Sequence, residues 1–329
     1  MIWLTWRQHR KQALWTAVTL AVLIAVLLPT GLTTRATFED SGLGACLRAL
    51  GQADLVGGDS CQALSSQFDG KYRSLTFVAI LFVLLPAAVG LLLGAPLVAR
   101  EIESGTHRMV WTQGINRRTW ILAKFGLIGA VALVLSVAYS LGAAWWLAPF
   151  AANGLGRLRY LVFDVQGIAP IGYTLFAVAL GILVGTMSRK VLPTIGISLV
   201  AFIAVRAVVE VLLRPHFLAP RTLTYGIDSV LMANRFNGSW VYAEGVRNGT
   251  GALVVPDGQI GCGPESDGSL ASCLPRLADQ GLGPGPYTNW REYQPPGRFW
   301  TFQAVETGIF LTLTALLLAF AVHRIRRIS

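Results

Sequence analysis

Six apolar runs, each long enough to cross the hydrocarbon of a bilayer, decide what this chain can become. A membrane helix needs about 20 predominantly apolar residues, and the runs cover 13–32, 75–98, 121–150, 167–187, 192–213 and 301–322. In lipid the peptide groups have no water to bond, so a segment of this kind satisfies them internally as a helix. The expected fold is an all-α polytopic membrane protein with six transmembrane helices. Composition agrees: the chain is 53% hydrophobic and 13% charged, where a soluble domain carries about 25% charged residues. Two glycine pairs, Gly90/Gly94 and Gly181/Gly185, have the spacing that lets membrane helices approach closely. Glycine is also common in such helices without that role.

The first run comes after basic residues, as in a signal peptide, but it is longer than a typical signal h-region and residues 29–34 offer no A-x-A cleavage site. It is read as a retained span. Ahead of it, residues 1–12 place Ile2, Trp3, Trp6 and Arg10 at helical spacing, which suits an amphipathic elbow in the cytoplasmic interface; a basic start with interfacial tryptophans is the plainer alternative.

Lys and Arg near the span ends set the orientation. With both termini inside, the cytoplasmic segments gather Arg7, Arg10, Lys11, Arg100, Arg108, Arg117, Arg118, Lys124, Arg189, Lys190 and the basic tail 323–329, against only Glu101 and Glu103. The outer segments hold acids and bases in equal number. An N-in, C-in topology results. It leaves two long extracytoplasmic segments, 33–74 with Cys46 and Cys61, and 214–300 with Cys262 and Cys273. All four cysteines fall on the oxidising face, so the simplest pairing is Cys46–Cys61 and Cys262–Cys273, with two other connectivities open. The 214–300 region is expected to be a small disulfide-stapled α/β or loop-rich unit. Within it, residues 239–247 and 252–255 read as strands around the turn signal Asn248-Gly249-Thr250-Gly251. Beyond residue 255 the chain becomes rich in Gly, Pro, Ser and Asp and reads as loop.

Little in the chain points to catalysis. His9, His107, His216 and His323 all lie at span ends or in loops, so no metal site is expected, and no G-x-x-x-x-G-K-[ST] phosphate loop occurs. The spans do contain three ionisable residues near their outer side. Arg206 and Glu210 stand four apart in the fifth span, about 10 Å and 5 Å from its outer end at roughly 1.5 Å per residue, and Glu306 lies at similar depth in the sixth. Charges at such depth face a partner or a water-filled cavity. A structural Arg206–Glu210 pair and the outer mouth of a pathway are both open readings.

The longest cytoplasmic loop, 99–120, carries a resemblance. Ala99-Arg-Glu-Ile-Glu-Ser-Gly-Thr-His-Arg-Met-Val-Trp-Thr-Gln, continued by Arg117 and Trp120-x-x-x-Lys124, resembles the loop after the second span in permease subunits of type-2 ABC exporters, most nearly the actinobacterial branch. Tyr293-Gln-Pro-Pro-Gly-Arg-Phe-Trp-Thr-Phe-Gln-Ala-Val-Glu306 resembles the lead-in to their last span, and the N-terminal Trp-Arg-Gln-His-Arg fits their start. The resemblance implies that Glu101, Glu103, Gly105, Thr106 and Arg108 form a coupling helix docked on a separate ATPase subunit, with Arg117 and Lys124 anchoring the next span; local neutralisation of Arg100 and Arg108 is the other role open to the two acids. It further implies a second permease copy or a related permease, ATP and Mg bound by the partner subunit and no cofactor in this chain, no nucleic-acid partner, and a multi-pass place in the bacterial plasma membrane. The expected function is export of a hydrophobic or amphipathic compound such as a drug, lipid or peptide. A membrane sensor or assembly protein with an extracytoplasmic ligand-binding region is the alternative, and a secondary transporter the third.

Overall fold

The structure, a computed structural model, describes residues 21, 24–52, 58–103, 117–188, 190–227, 238–260 and 270–327. It is mostly helical. In chain order, α1 spans 24–40, α2 Leu43–Gln52, α3 Gly58–Tyr72, α4 Leu75–Glu103 and α5 Arg117–Phe150. Next come α6 Ala169–Ser188, α7 Val191–Ala207, α8 Leu270–Asp279 and α9 Phe299–Arg327. Among the described residues, four stretches are long and apolar enough to cross a membrane: Lys124–Asn153, Ala169–Ser188, Val191–His216 and Pro296–Ile325. In α4 the described apolar core is shorter, Leu81–Leu97, and α1 runs past the predicted end of the first span at residue 32. The predicted elbow 1–12 lies outside the described residues.

The axis of the bundle is α6. In its most apolar window 78% of residues are buried, against 22% in the other three long helices, and α4, α5, α7 and α9 all pack on it. Close approach explains the choice of residues. A Cβ added to Gly94 would collide with the Val178 carbonyl, and one added to Gly90 with Ala177. From the other side, a Cβ on Gly181 would come within 2.7 Å of the Ala95 amide. Both glycine pairs therefore sit in one α4–α6 contact, where backbones replace side chains as the packing surface.

A second core joins α1–α3 to the end of α5. Phe38, Phe68, Phe82, Trp146 and Phe150 are its buried rings, the Trp146 indole donates to Thr30 Oγ1 at 3.0 Å, and Arg35 donates to the Trp145 carbonyl at 2.7 Å. The Cys46–Cys61 disulfide ties α2 to α3, with Cα atoms 5.8 Å apart. Cys262 lies outside the described residues, and Cys273 falls in α8.

Between α7 and α9 the chain forms a four-stranded antiparallel sheet in the order β1-β4-β2-β3: β1 Arg221–Gly226, β2 Trp240–Asn248, β3 Leu253–Pro256 and β4 Tyr287–Gln294. The β2–β3 hairpin forms at the anticipated turn, where the Asn248 side chain accepts from the Thr250 and Ala252 amides at 3.1 and 2.9 Å. The expectation of loop beyond it is corrected. Residues 287–294 form the central strand β4, paired with β1 and β2, and α8 buries Leu277 against Ile227, Val246 and Ile260. The partner of β4 that closes the sheet, β1, is more than sixty residues distant in sequence, so no local pattern signals the pairing.

The α4–α6 contact makes a prediction. Gly94→Val or Gly181→Val should lower the thermal stability of the detergent-solubilised protein by about 1–3 kcal/mol. Gly129→Ala, at a position where an added Cβ meets nothing within 4 Å, should leave it unchanged or slightly raised, as read from unfolding transitions of the three variants.

Candidate functional site: a buried ion cluster

At the end of the bundle that carries the sheet, five ionisable side chains meet. Three of them, Arg206, Glu210 and Glu306, are the ones the sequence singles out. The structure adds Asp164 and Arg214, together with Tyr173 and Gln303.

Local structure explains how they converge. After α5 the backbone widens into a π-helical turn, Ala151–Leu155, and a single helical turn, Tyr160–Phe163, delivers Asp164. Gly167, at φ +79°, then reverses the chain into α6. A Cβ there would press into the Gln303 side chain, so glycine is needed both for the left-handed backbone and for space. Gln303 on α9 clasps this segment: its Nε2 donates to the Phe163 carbonyl at 2.9 Å, and its Oε1 accepts from the Ile168 and Ala169 amides at 2.9 and 2.7 Å. Those amides stand at the entry to α6, where backbone N–H groups lack intrahelical partners.

On the other side, α7 continues as a π-helix, Val208–Leu213, and a 3₁₀ turn, Arg214–His216. A π-helix closes wider turns with i→i+5 bonds, so residues four apart stack more directly than in an α-helix. Arg206, Glu210 and Arg214 thereby come to one face.

The pairings are tight. Arg214, 0% exposed, grips Glu306 with two nitrogens, each at 2.7 Å, and reaches Asp164 at 2.6 Å. Arg206 pairs with the second Asp164 oxygen at 2.6 Å. The Tyr173 hydroxyl donates to Glu306 at 2.6 Å. Contact between Arg206 and Glu210 is longer, 3.9 Å, so the pair read from the sequence is present but secondary to Asp164. Among the described residues, Arg206 Nη1 and Nη2 and Arg214 Nη1 have no hydrogen-bond partner, the approach of Arg206 Nη2 to Asp164 being an ion pair only. Both guanidinium groups lie over rings instead, Arg206 at 4.1 Å from the Tyr173 centroid and Arg214 at 4.4 Å from that of Phe163, where the negative π face offsets the missing acceptor. Tyr160, next to Arg214, has its phenol pKa raised by burial, and the nearby guanidinium opposes that shift only in part; its ring is neutral at physiological pH.

Asp164, Tyr173, Arg214 and Gln303 are absent from the sequence-derived candidates. The first and third sit at span ends, where a charge is ordinarily solvated, and only the fold shows both buried.

Glu101, Glu103 and Arg117, three of the residues expected to couple, lie at the opposite end of the bundle. Glu103 closes α4, and its carboxylate accepts from the Val191 amide, the first of α7, at 3.2 Å. An acid there suits the partial positive charge of a helix N-terminus. Glu101 lies in the same last turn of α4, and Arg117 begins α5; Gly105, Thr106 and Arg108 lie outside the described residues.

Among the described residues, long apolar helices that gather paired ions at one end and expose apolar side chains along their length define a membrane-embedded helical protein. The chain belongs to the family described as ABC-2 membrane transporter related, whose model matches residues 17–214. It is a membrane transport component of the ABC type, which works with an ABC ATPase. No curated protein and no solved structure matches it. The family match ends at Arg214, so the sheet and α9, with Gln303 and Glu306, lie beyond it.

Removing one partner of a buried pair leaves a charge uncompensated. Arg214→Met should destabilise the protein by about 3–5 kcal/mol, whereas Arg214→Met with Glu306→Leu should cost less than the two single changes added together. Unfolding in detergent across the four-protein cycle measures the difference.

Proposed function

We propose that this chain is the translocation-path subunit of an ABC exporter for a hydrophobic or amphipathic compound, set in the bacterial plasma membrane with both termini inside and the sheet outside. It works as two copies, or one copy with a related permease, and draws energy from separate ATPase subunits that bind ATP and Mg. The observation that carries the reading is the family match over 17–214. Export, the actinobacterial affinity and the loop's role rest on the residues of 99–124 and 293–306 and on their resemblance to type-2 exporter permeases.

In this reading residues 99–120 receive the ATPase through Glu101, Glu103, Gly105, Thr106 and Arg108, with Arg117 anchoring the return helix. The Glu103 contact with the Val191 amide supports a route for the stroke, because α7 connects that contact to the ion cluster. Arg206 and Glu306, held by Asp164 and Arg214, stiffen the outer wall of the path, and Glu210 faces the path itself. Three facts favour this division: Glu306 is fully buried, Arg206 nearly so, and the Glu210 side chain is 25% exposed.

The test is co-purification of the chain with a co-expressed ABC ATPase subunit. Glu101→Ala and Glu103→Ala combined with Gly105→Pro should abolish ATPase retention and transport while the variant still inserts and remains monodisperse. Retention and transport at wild-type levels in that variant would contradict the coupling assignment.

A further inference from the structure

We propose that Arg157 and Arg159, seated beside Trp300, form a headgroup site for an anionic phospholipid at the sheet end of the bundle. The inference goes beyond the transport reading and needs only that the helices stand in a membrane.

Local structure makes the site. Gly156, at φ +62°, turns the chain out of the π-helical end of α5, and Leu158, 1% exposed, is drawn into the main core. Arg157 and Arg159 flank Leu158 and are both exposed. Two residues apart, they stand within about 7 Å of each other along the chain. Neither has an acidic partner among the described residues, and the buried carboxylates of this end, Asp164 and Glu306, are already held by Arg206 and Arg214. The Arg157 guanidinium lies 4.1 Å from the Phe299 ring centroid and 5.8 Å from that of Trp300. Stacked in this way it still donates through its edge, in the fork that matches a phosphate.

Position names the ligand. Phe299 and Trp300 open α9 and belong to the spanning stretch Pro296–Ile325, and Trp300 is 57% exposed; tryptophan at such a place sits at headgroup level. Inward from Trp300 come Ala304, Gly308 and Leu311, all exposed and all within about 80° of it around the helix at roughly 100° per residue. A Cβ added to Gly308 would meet nothing within 4 Å, so this strip leaves room for an acyl chain. An occupant matched to the arrangement carries a negative group for two unpaired guanidiniums and a hydrocarbon chain for the strip below Trp300. An acidic soluble protein offers the charge without the chain, and a zwitterionic lipid brings a cation that the arginines repel. Anionic phospholipid supplies both parts.

Native mass spectrometry of the full chain in detergent, titrated with dioleoylphosphatidylglycerol or dioleoylphosphatidylcholine, reads the preference as a ratio of dissociation constants. Wild type should bind the phosphatidylglycerol about tenfold more tightly, the scale of two charge contacts at a membrane surface. Arg157→Gln with Arg159→Gln should remove that preference. Arg157→Lys with Arg159→Lys, which keeps the charge, should hold the ratio within about threefold of wild type and guards against a folding defect in the glutamine variant. Arg48→Gln with Arg221→Gln removes the same charge from exposed positions elsewhere and should leave the ratio unchanged. Three results would each overturn the proposal: equal affinity of wild type for the two lipids, a preserved preference in the Arg157/Arg159 glutamine variant, or an equal loss in the Arg48/Arg221 variant. Displacement of the lipid by an equal concentration of glycerol phosphate would do so too, since it would assign the site to a free phosphate ester. The measurement involves neither ATPase nor transport, so a failed co-purification would strike the coupling assignment and leave this result standing on its own.

Discussion

Arg214 holds the architecture together at its most expensive point. A guanidinium with no exposed surface is stable in an apolar bundle only if its charge and donors are met, and here Glu306 on α9 and the adjacent Phe163 ring and Asp164 carboxylate meet them from two parts of the chain. The consequence is mechanical as much as electrostatic. Glu306 belongs to α9, Asp164 to the segment between α5 and α6, and Arg214 to the end of α7, so the cluster fastens these elements into one body and sets the sheet on top of it. The same junction is bolted again by Gln303, and by Gln294 and Arg298, which donate to the Leu218 and Ala219 carbonyls at 2.8 and 2.7 Å.

Two π-helical turns make this convergence possible. One ends α5 and the other extends α7, and both lie at the sheet end, flanking the cluster. A wider turn is less stable than an α-turn and persists where surrounding contacts over-determine it. Here it aligns Arg206, Glu210 and Arg214, which gives the strain a compensating function. At the far end of α7 the exposed Glu103 carboxylate accepts from the first amide of the helix.

The sequence disclosed those features that obey a local rule. Apolar runs gave helices, glycine spacing located the α4–α6 contact, Asn248-Gly-Thr-Gly fixed a hairpin, and charges deep in spans marked Arg206, Glu210 and Glu306. The features that stayed hidden depend on long-range burial. Asp164 and Arg214 look like ordinary loop and boundary charges until the chain folds back over them, and β4 reads as loop because its partners are distant. The longer Arg206–Glu210 spacing has the same origin: i,i+4 proximity is visible in one dimension, but the competing carboxylate of Asp164 is not. Even the family match stops at Arg214, with the sheet and α8 between it and the α9 residue that Arg214 holds.

The central claim is that α6, α7 and α9 move as one body, locked by the cluster, while ATP is used elsewhere. Its most direct test is the distance between spin labels at Val211 and Val305 in the same chain, at exposed positions of α7 and α9. Measured by double electron–electron resonance in the ATPase-bound complex, the account predicts one unchanged distance distribution in nucleotide-free and vanadate-trapped states of a complex that still transports. A shift or splitting of that distribution on trapping would show that the cluster opens during the cycle and would contradict the account.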